Sequence, residues 1–302
     1  FILVNKHLWI RKVVLRSSVT VISVNTDSTL MTVGTLIKSL AFVAGLFVFD
    51  TSCMAKADDC APDKLNLVKT VSVVYDAGSF LIDNDYVVLT GVHVPSTGRT
   101  NTKEESGGKY AAQLVGQWMD EVHGKVGLEL DQLTAEDGHV LTHLYLPNGK
   151  NLAEQLLEQG LALVDTKLPN TKHFQCYRDA ETRARAGKKG LWQYQDRGVP
   201  VVDSRNLTGD RDGFQVVRGK IVLAKEGKGH FILNMDTLGI RIANDLLSSF
   251  VISDLNSLVG KTIEVRGNLR FFQGNMFVNI HHPGQIDLLA DKLKNSPKLS
   301  NK

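Results

Sequence analysis

The stretch Tyr86–Ser96, Tyr-Val-Val-Leu-Thr-Gly-Val-His-Val-Pro-Ser, narrows the folds open to this chain. Val87, Val88, Leu89, Val92 and Val94 favour extended backbone, Gly91 allows a bend and Pro95 stops the strand. Upstream, Val68–Ile82 alternates loosely and is broken by Asp76-Ala77-Gly78, so it reads as two strands and a tight turn. Downstream, Pro95–Gly108 reads as loop. Ala111, Leu114, Val115, Trp118, Met119 and Val122 then recur three and four apart, which predicts a helix from about Glu104 to His123. Lys125–Leu133 and His139–Leu146 read as a hairpin turning through Glu136-Asp137-Gly138. Asn151 with Glu154 forms a capping box for a short helix that Gly160 ends. Thr171–Ala186 predicts a third helix, with Phe174, Tyr177 and Ala184 inward, before Gly190-Leu191-Trp192. Five strands and helices in this order fit a Greek-key barrel with helical additions.

The chain has 302 residues, room for two modest domains, and a formal net charge of +3. Residues 68–195 hold 13 Lys and Arg against 16 Asp and Glu, so charge alone does not argue for a grip on phosphates there. From Met31 a basic start, the apolar run Ser39–Phe49 and Ala55-Lys56-Ala57 make the parts of a secretory signal peptide, with cleavage expected after Ala57. Residues 1–57 are therefore expected to be an upstream segment plus that peptide. The mature chain would have no transmembrane span and would be exported, to the periplasm or beyond. It keeps two cysteines, Cys60 and Cys176, which either form one disulfide or stay as two thiols.

Several markers recur together over residues 68–195. They are Leu89-x-Gly91-Val92-x-x-Pro95, Asp137-Gly138, Leu144-Tyr145, Gly149-x-Asn151-Leu152, Gly160-Leu161-Ala162, and Ala180-Glu181-x-x-Ala184 with Gly190-Leu191-Trp192. This arrangement resembles the staphylococcal-nuclease-like, or thermonuclease, family. The resemblance implies a domain at 58–195 with an OB-type barrel and three helices. It also implies phosphodiester hydrolysis with calcium, carboxylates to hold the ion and arginines to hold the phosphate. Carried over residue by residue, the first calcium-binding Asp falls on Gly78 and the second on His93. The backbone ligand falls on Val94 and the general-base Glu on Ser96. The two arginines fall on Val88 and His139. All six positions depart from the family pattern, so the family reaction is expected to be lost and no cofactor retained. His93 and His139, with His143 on the same strand face as His139, leave a transition-metal site as an alternative. Arg99 and Lys103 read as solvated loop charges.

Asp196–Gly213 is polar and reads as a linker, residues 214–290 as a second five-stranded unit, and 291–302 as a basic tail. Residues 214–290 hold 8 Lys and Arg against 6 Asp and Glu. Gly219-Lys220, Gly260-Lys261, Val265-Arg266-Gly267 and His282-Pro283-x-Gln285-Ile286 resemble small OB modules of nucleic-acid-binding proteins. That resemblance makes Arg218, Phe231, Arg241, Arg266, Arg270, Phe271 and Phe272 candidates for contacting a single strand. The fold class is thus mainly β with helices, two barrels in tandem. The functional expectation is a non-catalytic module binding nucleic acid or an envelope protein. A hydrolase working through substituted residues and an envelope protein with no nucleic-acid role are the alternatives.

Overall fold

The computed structural model describes residues 60–63, 65, 67–99, 102–132, 138–193, 201–208 and 213–289. These lie within one compact unit, Met54–Lys302. The segment read as a signal peptide, the turn at Glu136-Asp137 and the basic tail lie outside the described residues.

Five strands close a barrel in the order β1-β2-β3-β6-β5. They are β1 (Leu67–Asp76), β2 (Ser79–Ile82), β3 (Asp85–Leu89), β5 (Lys125–Leu130) and β6 (Val140–Tyr145). Alternation sets the faces: Phe80, Ile82, Val87 and Leu89 enter the core, while Tyr86 and Val88 point to the other side, half-buried. A two-stranded ribbon, β4 (Val92–His93) with β7 (Leu163–Val164), sits beside the barrel. The helices are α1 (Gly108–Glu121), α2 (Leu152–Glu158) and α3 (Phe174–Ala186). The inward face of α1 is Ala111, Val115 and Met119. It starts at Gly108, four residues later than its apolar spacing predicts. Gly107 adopts φ 88°, and a Cβ at Gly108 would lie 2.2 Å from the Ser96 carbonyl oxygen. The two glycines bring the loop against the helix start and keep Glu105 outside the helix. Asn151 caps α2 by accepting the Glu154 N–H at 3.1 Å. Cys60 and Cys176 form a disulfide that ties the first described residues to α3.

The second region, expected to hold five strands, is a single eight-stranded sheet, because the chain of 214–290 turns more often than its apolar runs suggest and 201–203 adds a strand. Its strands are β8 (Val201–Asp203), β9 (Gly213–Lys220), β10 (Leu223–Glu226), β11 (His230–Asn234), β12 (Leu238–Ala243), β13 (Thr262–Phe272), β14 (Asn275–Ile280) and β15 (Ile286–Leu288). Short helical turns at Asn244–Ser249 and α4 (Ile252–Asn256) join β12 to β13. β9 ends at Lys220 and β10 begins at Leu223. Between them Ile221 N–H bonds to the Lys261 carbonyl and Val222 N–H to that of Asn234, so the chain crosses from the β13 side to the β11 side. Within the sequence expected to be a linker, Val201–Asp203 form β8, which pairs in parallel with β9. Val217, Phe231, Leu233, Ile240, Ile263 and Val278 form its core. No helix among the described residues is long and apolar enough to cross a membrane.

Candidate functional site

A cavity of about 510 Å³ opens where the outward side chains of β3, the β4 ribbon and the turn after β1 meet. Gly78, Val88, His93, Val94 and His139 all line it. Ser96 stands at its edge: its hydroxyl bonds to Thr102, a lining residue. The six substituted positions are therefore brought together in space.

Their local geometry departs from a cation site. Asp76 Oδ1 accepts the Gly78 N–H at 2.9 Å, which closes the turn. A Cβ on Gly78 would lie 2.9 Å from Val94 Cγ2, so Val94 fills the space a carboxylate at 78 would enter. Asp165, another lining carboxylate, accepts from Gln285 Nε2 at 3.0 Å and pairs with Lys167 at 3.3 Å.

His93 is held from two sides. Its Nε2 lies 3.2 Å from Glu105 Oε1, and its ring stacks on Phe214 with centroids 4.4 Å apart and planes 7° from parallel. Glu105 also accepts the Ser96 N–H at 2.8 Å. Burial raises the Glu105 pKa, but the hydrogen bond and charge of His93 and the Ser96 N–H outweigh it and hold the carboxyl below its ordinary value. Phe214 and Asn268, paired across β9 and β13, bring the second sheet to the cavity. His139 packs against Tyr86 with ring centroids 4.3 Å apart.

His143 does not join the other two histidines. It is buried beneath α3, its Nδ1 2.8 Å from the Tyr177 hydroxyl and its Nε2 3.4 Å from Asp131 Oδ2. The three-histidine metal site is thus corrected. Among the described residues the one group with metal-ligand spacing is Cys60, Glu154 and Cys176, and its two sulfurs are already joined.

The second region sorts its candidates by packing. Phe231 is 1% exposed and belongs to the core, so it offers no face to a base. The signal was present: Phe231, Leu233 and Met235 alternate with His230, Ile232 and Asn234. Arg266, also 1% exposed, is buried between Glu181 of α3 and Asp287, which removes it from any nucleic-acid surface. Arg218 pairs with Glu264, which Arg185 of α3 grips through both nitrogens. Arg241 and Arg270 differ. Arg241 Cζ lies over Phe277, 3.8 Å from the ring centroid, and Arg270 is opposite Phe277 across β13 and β14. Among the described residues neither pairs with a carboxylate, whereas Arg178, Arg183, Arg185, Arg205, Arg218 and Arg266 all do. Phe271 and Phe272 are exposed at the hairpin tip beside Arg270. Arg99 and Lys103 are exposed in the loop before α1. Glu105, Phe214 and Phe277 were not among the sequence candidates.

Residues 86–194 match the family described as Staphylococcal nuclease homologue. The chain is 30% identical over 126 residues to Endonuclease YncB of Bacillus subtilis (strain 168), covering 41% of this chain and 56% of that protein. It is 29% identical over 125 residues to Thermonuclease of Staphylococcus hyicus, covering 39% of this chain and 72% of that protein. The match therefore spans little more than half of the Bacillus relative.

Proposed function

We propose, from the premise that residues 86–194 form a staphylococcal-nuclease-like domain, that this protein binds nucleic acid and does not run the family's calcium-dependent hydrolysis. The observation that carries the reading is the convergence of Gly78, Val88, His93, Val94 and His139 on one cavity without a carboxylate or a guanidinium among them. Calcium takes roughly six to eight oxygen ligands, and the residues at the two carboxylate positions, Gly78 and His93, do not supply them. Val94 occupies the space, and Asp76 is spent on its own turn. Losing one donor to the transition state costs about 10²–10³ in rate, and here both arginine positions are substituted.

Nucleic acid as the ligand is supported by the outer face of the second sheet. Arg241 and Arg270 flank Phe277 without acidic partners. A guanidinium held over a ring can also meet a base while its charge meets phosphate. Export is part of the proposal, supported by the leader-like run before Ala57 and by the Cys60–Cys176 disulfide, a bond that persists in oxidising compartments.

The test is a binding titration of single-stranded DNA and RNA against salt, run beside a calcium-dependent DNA cleavage assay. We expect salt-sensitive binding and no calcium-dependent cleavage. In Arg241→Ala with Arg270→Ala the salt slope should fall by about 0.7 per lost phosphate contact. Calcium-dependent cleavage would sink the first half of the proposal. Absence of binding even at low salt would sink the second half and leave a protein partner.

A further inference from the structure

The cavity holds a different set of groups from the one the family reaction uses. His93 and His139 line the same walls, and Lys167 is the one Lys or Arg among the described lining residues. His93 is oriented: Glu105 sits on Nε2, and Phe214 fixes the ring plane. With Glu105 accepting from Nε2–H, the neutral ring carries its lone pair on Nδ1, which has no hydrogen-bond partner among the described residues. A base with a carboxylate behind it, a second imidazole and a cation in one cavity are the parts of proton-transfer catalysis at a phosphate. That chemistry needs no bound ion when the nucleophile is already part of the substrate.

We infer that the cavity cleaves RNA without a metal, by transfer of the phosphoryl bond to the neighbouring ribose hydroxyl. This rests on the reading that the ligand is a polynucleotide. His93 Nδ1 takes the proton of a 2′-hydroxyl. The 2′-oxygen forms a bond to the adjacent phosphorus, and the bond from phosphorus to the 5′-oxygen breaks. His139 acts as the acid and gives a proton to the departing 5′-oxygen. The products are a 2′,3′-cyclic phosphate and a 5′-hydroxyl. No water, oxidant or second substrate is consumed, and exchange of protons with solvent resets the two rings. Lys167, paired with Asp165 at 3.3 Å, is the cation the cavity offers to the phosphate. Glu105 is a positioning residue, holding His93 in the tautomer the step requires.

The experiment uses the full chain with excess chelator, a short single-stranded RNA, and the same strand with one 2′-deoxy residue at the cleavage position. Cleavage is read as cyclic-phosphate ends by mass spectrometry, and binding is read separately by fluorescence anisotropy. The expected result is chelator-resistant cleavage of the RNA, none at the 2′-deoxy position, and a loss of about 10²–10⁴-fold in His93→Ala and in His139→Ala. Glu105→Gln should lower kcat with KM unchanged. Thermal melting checks that each variant folds, and His93→Gln, closer in size, stands in if His93→Ala does not. Identical rates in wild type and the histidine variants would overturn the inference, as would cleavage at the 2′-deoxy position. RNA that binds but is never cut overturns this inference alone, while RNA that neither binds nor is cut overturns the reading beneath it as well.

Discussion

Arg266 of β13 and Glu181 of α3 form a buried ion pair, Nη1 2.6 Å from Oε2, with side chains 1% and 4% exposed. Glu181 Oε1 also accepts the Val164 N–H at 2.9 Å, so one carboxylate ties the second sheet to the β7 ribbon. Arg185 with Glu264 and Arg178 with Asp287 extend the joint along the same face of α3. Removing one member of such a pair strands the other charge, at a cost of about 3–5 kcal/mol. Arg266→Leu should lower the unfolding free energy by that amount, read from urea denaturation. The double variant with Glu181→Leu should lose less than the two single losses added together. Strict additivity would show that the pair is not coupled.

Acid should weaken the fold in two windows. Glu129, buried, is pushed up by desolvation but pulled down further by His173, Lys172 and Tyr145, from 4.5 to about 2. A carboxylate with a depressed folded pKa stabilises above its unfolded value, and that contribution is lost as pH falls from about 4.5 to about 2, on the order of 3 kcal/mol. His143 is lowered chiefly by burial, against the pull of Asp131. The unfolded chain therefore takes up that proton first, and stability declines as pH drops below 6.5. Denaturation midpoints at pH 7, 5 and 3 should fall in both steps, and Glu129→Gln should flatten the lower one. An unchanged lower step in that variant would assign it elsewhere.

Gly78 and Val94 compete for one volume. Gly78→Ala should destabilise by about 1–3 kcal/mol, because the added methyl meets Val94 Cγ2 at 2.9 Å. Val94→Ala in the same chain should recover part of that loss, giving non-additive melting temperatures. If Gly78→Ala melts like wild type, the cavity wall yields and Val94 does not block the site.

The Cys60–Cys176 bond closes a separation of 116 residues. Cys60→Ser should lower stability by about 2–5 kcal/mol, as read from denaturant midpoints. Beyond the bond, Asp63 N–H donates to Glu129 at 3.1 Å and Asn151 Nδ2 reaches the Cys60 carbonyl at 3.5 Å. Reduction of the wild-type chain should reproduce the midpoint of Cys60→Ser. A midpoint unmoved by reduction would mean these polar contacts alone hold the segment.

Local order was legible in the residues themselves. The turn at Asp76-Ala77-Gly78, the helical spacing from Ala111 to Val122 and the cap at Asn151 are each set by neighbours within a few positions, through backbone sterics and period, whereas the strand expected over Tyr86–Val94 divides at Thr90-Gly91 into β3 of the barrel and β4 of the ribbon. The convergence of Gly78, His93 and His139 followed from matching those elements in order. Tertiary structure alone decided which charged and aromatic groups are available. Period two places Glu264, Arg266 and Arg270 on one face of β13, but not what covers that face. The α3 helix buries the first two, with Arg266 and Glu181 meeting across 85 positions, while Arg270 stays in water beside Phe277. Glu105 likewise reads as the first turn of a helix until Gly107 and Gly108 delay that helix and aim its carboxylate at His93. Desolvation and ion pairing depend on what a distant segment brings within a few ångströms, and sequence spacing carries no measure of that distance.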